Sequence, residues 1–148
     1  MKKLIYIYLL LLCAASMSAQ SKVTSIENVS SRVWICTSEG GALHLSFSDK
    51  GKFVPSTDVL PSVLASASFG QLWCSPEGKL YLFYTETDGY FDGKGVLKVI
   101  CCPNPMDKTP QWGAAAEIGI GVCTGEPVVA SDGTWLMPGA LWGRSLIG

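Results

Sequence analysis

Short β-type runs, separated by turns rich in glycine, proline and aspartate, constrain the fold of this chain more than any other feature. In residues 42–47 apolar side chains alternate with small or polar ones, which is typical of a strand buried on one face. Residues 32–36 and 95–102 are further runs of β-branched and apolar residues. The one helical candidate, residues 60–69, contains a proline and three serines, which are poor helix formers. The sequence therefore predicts an all-β fold.

Two hairpins follow from the turn residues. Residues 71–74 and 79–85 flank a Ser-Pro-Glu-Gly turn, and residues 127–130 and 134–138 flank a Ser-Asp-Gly turn. Residues 54–68, which separate the first predicted strands from the first predicted hairpin, show no clear hydrophobic periodicity and are predicted to be a loop. The expected organisation is one all-β domain over residues 20–148.

Residues 1–19 are predicted to be a secretory signal peptide. Lys2 and Lys3 precede an apolar run of about twelve residues, which is shorter than the roughly twenty that a membrane-spanning helix needs. Small residues around Ser18 to Gln20 mark the expected cleavage site. An uncleaved anchor and a lipoprotein cysteine at Cys13 are the alternatives, and three leucines before Cys13 disfavour the second. The mature chain is thus expected outside the cytoplasm, without a membrane span.

Charge and residue counts exclude several classes of protein. Eleven Lys and Arg oppose twelve Asp and Glu, so a nucleic-acid partner is not expected. A single histidine argues against a histidine-based zinc site, and no cofactor is predicted. Removal of the leader leaves five cysteines, an odd number, so at least one thiol has no partner within the chain. Their disulfide pattern stays open: Cys36, Cys74, Cys101, Cys102 and Cys123.

Several runs in the mature chain, between Trp34 and Arg144, resemble one family in their order and spacing. They are similar to secreted bacterial sialidase-like proteins, the exo-α-sialidases with bacterial neuraminidase repeats. The repeat itself is degenerate here, since only Asp49-Lys50-Gly51 fits its Asp-x-Gly centre. The runs that carry the resemblance are Gln71-Leu72-Trp73, Gly78-Lys79-Leu80-Tyr81-Leu82-Phe83-Tyr84, Tyr90-Phe91-Asp92-Gly93-Lys94-Gly95-Val96, Asn104-Pro105, Gln111-Trp112, Gly121-Val122, Glu126-Pro127-Val128-Val129, Asp132-Gly133-Thr134-Trp135-Leu136-Met137-Pro138 and Leu141-Trp142.

The resemblance implies a six-bladed β-propeller that releases terminal sialic acid from a glycan partner. In this family the nucleophile is a tyrosine, because the substrate carboxylate would repel an Asp or Glu nucleophile. Three arginines bind that carboxylate, and the mature chain has two, Arg32 and Arg144. Asp92 and Glu126 are the candidate catalytic residues, and Arg144 is the candidate substrate-binding residue.

Length argues against a complete enzyme. A blade takes roughly 40–50 residues, so the mature chain is expected to form about three blades. We therefore expect the N-terminal portion of a longer sialidase-like protein that lacks the full active site. The alternatives are a secreted propeller that binds glycans without cleaving them and a non-functional fragment. Tyr81, Tyr84, Tyr90 and His44 are expected in structural rather than catalytic positions.

Overall fold

The computed structural model describes residues 21–56, 59, 61–87 and 93–141. The predicted leader, Asp92, Tyr90 and Arg144 lie outside the described residues. The chain is all-β apart from one helical turn. Its elements in order are β1 (Lys22–Val29), β2 (Arg32–Glu39), β3 (Ala42–Asp49), β4 (Lys52–Pro55), α1 (Pro61–Leu64), β5 (Ala67–Cys74), β6 (Leu80–Glu86), β7 (Val96–Cys102), β8 (Ala116–Ile120), β9 (Val122–Cys123), β10 (Val128–Val129), β11 (Trp135–Leu136) and β12 (Gly139–Ala140).

Two four-stranded antiparallel sheets form the body of the molecule, each with its strands in chain order. We call β1–β4 the first sheet and β5–β8 the second sheet. Neither closes on itself within the described residues. The loop prediction for residues 54–68 is wrong at both ends, because β4 extends to Pro55 and β5 begins at Ala67, and α1 lies between them.

The last four short strands form one irregular hairpin, which we call the hairpin layer. β9 pairs with β12 and β10 pairs with β11, both antiparallel. Between the two pairs, the Thr124 amide donates to the Pro138 carbonyl at 3.0 Å. The Ala130–Gly133 turn that closes the hairpin was predicted from the sequence. It is stabilised by a hydrogen bond from the Gly133 amide to the Ala130 carbonyl.

The first and second sheets pack face to face, and strand alternation explains which side chains meet. On the first sheet Trp34, Cys36 and Leu45 point inward, because β2 and β3 pair Trp34 with Phe47 and Cys36 with Leu45. On the second sheet Leu82 lies opposite Ile100, on the same side as Tyr84. The side chains of both faces form one buried cluster, which is the main core of the protein.

β6 is covered on both faces. Leu80, Leu82 and Tyr84 face the first sheet, whereas Tyr81 and Phe83 face the hairpin layer. There Trp73 packs edge-on against Trp135 at 4.6 Å between ring centroids, and Cys123 completes the buried cluster. The three layers therefore stack in chain order, with the second sheet in the middle.

The first strands of the two sheets run side by side in the same direction. The Leu72 amide and the Gln71 side chain both donate to the Ser25 hydroxyl, at 3.0 and 3.2 Å. β5 also contacts β9, whereas the fourth strands β4 and β8 have no comparable contact. The layers consequently fan out from their first strands. We call the end of the stack where β1, β5 and β9 begin the cleft end.

One buried polar atom has no hydrogen-bond partner among the described residues, the indole Nε1 of Trp34. Trp34 is fully buried and packs against Phe47 and, edge-on, against Trp112. An unpaired buried donor costs about 1–3 kcal/mol, which the burial of the large indole offsets. Trp112 is anchored separately, since its Nε1 donates to the Ser56 hydroxyl at 3.1 Å.

Candidate functional site

A cleft of about 630 Å³ opens at the cleft end, where the first strands of the three layers converge. This volume is in the range of small-molecule sites. The wall is formed by the first half of β1, the end of β2, the first half of β5, and the last residue of β9 with the residue after it. The lining residues are Lys22, Val23, Thr24, Ser38, Ser68, Phe69, Gly70, Gln71, Cys123 and Thr124.

Both first strands are irregular where they line the cleft. The register of β1 against β2 shifts between Val23 and Ser25, and that of β5 against β6 shifts between Ser68 and Gln71. Within the second bulge Phe69 has a positive φ of 55°, a conformation uncommon for a bulky residue. Such strain is concentrated at functional sites in proteins. The bulges thus turn side chains of β1 and β5 toward the cleft.

Gly70 allows the bulge to form because the first sheet approaches its backbone closely. A Cβ at this position would lie 2.7 Å from Cys36 Sγ and 2.9 Å from the Leu43 Cδ1 methyl. Both of those side chains are fully buried, so they have little room to move. Glycine at position 70 is therefore needed to bring the strained Phe69 segment against the first sheet.

The cleft offers hydrogen-bonding groups, one aromatic ring and one cation. Ser38 and Thr124 have hydroxyls with no side-chain hydrogen bond among the described residues. The Ser68 hydroxyl donates to Thr85 O at 3.4 Å, which leaves its acceptor lone pairs available. Lys22 supplies the charge. Hydroxyl, amide and aromatic groups together are suited to a sugar, which has polar edges and an apolar face.

A second, smaller cleft of about 340 Å³ lies on the second sheet at the same end. One lysine in its lining lies between two carboxylates. Lys98 forms an ion pair with Glu86 and lies 3.9 Å from Glu117. Hydrogen bonds from Lys98 and from Ser66 lower the pKa of Glu86, and Glu86 in turn raises the pKa of Lys98. These contacts connect β6, β7 and β8 at the cleft end.

The described candidate from the sequence, Glu126, does not line the cleft. It is exposed in the bend between β9 and β10. Its carboxylate lies near Glu27, whose pKa is raised first by burial and then by Glu126. The amides of Asn28 and Cys74 donate to the Glu27 carboxylate and counteract part of that rise. Asp92 and Arg144 lie outside the described residues, so the structure does not place them.

Arg32 occupies a structural position away from the cleft end. Its Nη1 donates to the carbonyls of Pro105 and Asp107 at 2.8 and 2.7 Å. The guanidinium carbon lies 4.4 Å from the centre of the Phe47 ring. These contacts fix the long connection after β7 against the start of β2.

The two described tyrosines are not activated as nucleophiles. Burial raises the pKa of Tyr84 to about 12, with a smaller effect of Glu86. The pKa of Tyr81 is also raised to about 12, by burial and then by its hydrogen bond with Cys101. Both phenols therefore stay protonated at neutral pH, and neither lines the cleft.

The five cysteines among the described residues are all free thiols. Burial raises the pKa of Cys36 and of Cys102 to about 11. Cys123 lies at the cleft wall, with its Sγ 3.3 Å from Met137 Sδ. Within the described ranges no three His, Cys, Asp or Glu side chains group in a way that could hold a metal ion.

The cleft residues themselves were not predicted from the sequence. Ser68 and Phe69 fall in or beside the segment predicted as a loop, and Gln71 was assigned only to a strand. A glycine inside a strand pattern often marks a bulge or a close backbone approach, so Gly70 was the available signal.

No helix among the described residues is long and apolar enough to cross a membrane. Comparison of the chain with protein-family models, with curated proteins and with solved structures finds no match.

Proposed function

We propose that this chain is an exported, sialidase-like protein that binds a glycan in the cleft between its first strands. The observation that carries the proposal is the convergence of β1, β5 and β9 on one cleft of sugar-binding size and chemistry. The family that the sequence resembles is expected to have its substrate pocket at the central axis of the propeller. The stacked four-stranded meanders are compatible with blades of this kind.

The lining residues favour binding over hydrolysis. A tyrosine nucleophile, its glutamate base and an arginine clamp are what the resembled enzymes use, and the described part of the cleft wall contains no Tyr, Glu or Arg. Arg32 is bound elsewhere, by backbone carbonyls and the Phe47 ring. We infer that Lys22 gives the cleft a preference for an acidic sugar, and that Phe69 packs against the apolar face of the ring.

The test is a titration of the exported chain with 3′-sialyllactose and with lactose, followed by NMR chemical shifts. We expect saturable shifts with sialyllactose and weaker binding of lactose, which lacks the carboxylate. Lys22→Glu should weaken sialyllactose binding by about tenfold, as expected for loss of roughly 1.4 kcal/mol. Lys108→Glu, on an exposed loop at the other end of the second sheet, is the matched control.

The absence of saturable binding to either sugar would refute the proposal. An equal loss of sialyllactose affinity in the two lysine variants would refute it as well. A parallel assay with a 4-methylumbelliferyl sialoside separates binding from hydrolysis. We expect no release of the fluorophore above the rate in buffer. Turnover that depends on the protein would instead support the hydrolase that the resemblance implies.

A further inference from the structure

The second cleft, of about 340 Å³, adjoins the first, larger cleft along the start of β5. Ser68 lines the first cleft and Ser66 lines the second, whereas Ala67 between them is buried in the main core. Two residues of chain span at most about 7 Å, which is close to the length of one sugar unit. A ligand that fills the first cleft can therefore reach the second through a single linkage.

The second cleft is polar, and the charges of its described lining balance. Two lysines are offset by two glutamates there: Lys94, Lys98, Glu86 and Glu117. The first cleft differs, because Lys22 is the one charged side chain in its described lining. The first cleft is thus suited to an acidic group and the second to a neutral polar group, and the volume of the second is within the range of small-molecule sites.

Glu86 and Lys98 are held in place by contacts within the second cleft. Oε1 of Glu86 accepts a hydrogen bond from the Ser66 hydroxyl at 3.1 Å, and Oε2 forms the ion pair with Lys98. The Lys98 ammonium also lies 3.9 Å from a carboxylate oxygen of Glu117. These contacts orient both groups before a ligand arrives, which lowers the entropic cost of binding.

Both groups keep hydrogen-bonding capacity beyond these contacts. An ionised carboxylate has about four lone-pair sites, and the contacts within the described residues use one on each oxygen of Glu86. The Lys98 ammonium has more donors than the single one that Glu86 uses. The two side chains are 34% and 20% exposed, so a ligand can contact them. An acceptor beside a donor is complementary to two neighbouring hydroxyls of a sugar ring.

We propose that the second cleft binds a neutral sugar, so that the ligand of this protein is a glycan in which an acidic sugar is linked to a neutral hexose. This inference rests on the proposed function, because the acidic sugar occupies the first cleft. One hydroxyl of the neutral sugar donates to Glu86, and the neighbouring hydroxyl accepts from Lys98. A second acidic sugar is disfavoured, since its carboxylate would meet Glu86 and Glu117 while Lys98 is already paired.

Titrations of the exported chain with three sialosides, followed by NMR chemical shifts, test the second cleft. Methyl α-sialoside supplies the acidic sugar alone, 3′-sialyllactose adds a neutral sugar, and α2,8-linked disialic acid adds a second acidic one. We expect 3′-sialyllactose to bind about tenfold tighter than the other two, as hydrogen bonds to charged groups would produce. The amide of Gln71 should shift with every sialoside, and the amides of Glu86 and Lys98 with 3′-sialyllactose alone.

Glu86→Gln tests the charge of the second cleft, because it removes the carboxylate and keeps the shape of the side chain. The described lining then has more lysine than glutamate, so the affinities for 3′-sialyllactose and disialic acid should come within about threefold of each other. Glu77→Gln is the matched control. Glu77 also accepts a serine hydroxyl, from Ser75 at 2.9 Å, but it lies in the turn at the opposite end of β5. This variant should keep the preference for 3′-sialyllactose.

Two results would overturn this inference and leave the proposed function standing. One is equal affinity for methyl α-sialoside and 3′-sialyllactose, and the other is an equal loss of selectivity in Glu86→Gln and Glu77→Gln. No saturable binding of any sialoside would refute the proposed function and this inference together. Near-UV circular dichroism checks that the variants are folded. Ser66→Ala repeats the test without removing the ion pair, and it should weaken 3′-sialyllactose binding by about threefold.

Discussion

Tyr84 lies between the first and second sheets with 1% of its surface exposed, and burial raises its pKa to about 12. In the unfolded chain its phenol titrates near pH 10. Between these values the folded protein keeps the proton that the unfolded chain loses, so the unfolded state gains stability as the pH rises. The contribution of protonated Tyr84 to the free energy of unfolding is fully present below pH 10 and is lost as the pH approaches 12.

We therefore predict that Tyr84→Phe reduces the alkaline sensitivity of the protein. The difference in unfolding free energy between pH 10 and pH 12 should be smaller in the variant, by on the order of 2 kcal/mol. Tyr81, Cys36 and Cys102 titrate in both proteins, so their effects cancel in the comparison. Urea unfolding followed by tryptophan fluorescence measures this difference, and an identical pH dependence in the two proteins would contradict the burial argument.

Among the elements, β5 depends on one glycine, because its bulge brings the backbone of Gly70 against the first sheet. We predict that Gly70→Ala lowers the free energy of unfolding by about 1–3 kcal/mol, the range for overpacking a core. Its Cβ would lie 2.7 Å from Cys36 Sγ, inside the main core.

Gly119→Ala provides the matched control in β8. No atom lies within 4 Å of a Cβ at position 119, so this change should alter stability by less than about 0.5 kcal/mol. Urea denaturation of both variants gives the comparison. Equal stability of Gly70→Ala and the wild type would mean that β5 can retreat from the first sheet.

The strands that could be predicted from the sequence are those with regular alternation or with a mainly apolar, β-branched and aromatic composition. β3 alternates throughout, and β6 and β7 are mainly apolar, so each was recognised. β1 was missed because a bulge between Val23 and Ser25 breaks its alternation, and β8 was missed because a register shift and Gly119 do the same. The cleft was missed for the same reason, since Phe69 and Gly70 lie within a bulge.

On the scale of the whole molecule, the described fold begins where the predicted leader ends. β1 starts at Lys22, so cleavage between residues 18 and 21 would leave every described strand of the first sheet intact. We predict that the exported protein begins near Ala19 to Ser21. N-terminal sequencing of the protein recovered outside the cytoplasm checks this, and an exported chain that begins at Met1 would contradict it.

The fold class could be predicted at this scale, whereas the arrangement of the layers could not. The all-β prediction is confirmed, because turn residues and alternation are local signals that a sequence displays directly. Which faces pack together depends on contacts between distant residues, such as Ser25 with Leu72. Propeller blades and a glycan partner accordingly remain proposals.

If the chain is exported as we propose, the burial of the Trp34 face against the second sheet determines the order in which the protein can fold. A chain that leaves a translocation channel N-terminus first releases β1–β4 well before β5–β7, which cover that face. The first sheet must therefore wait, with its indole and leucine side chains in water, until Cys102 has emerged. Because this long-range step is slow compared with forming a hairpin, the waiting intermediate is the species that an extracytoplasmic chaperone would encounter.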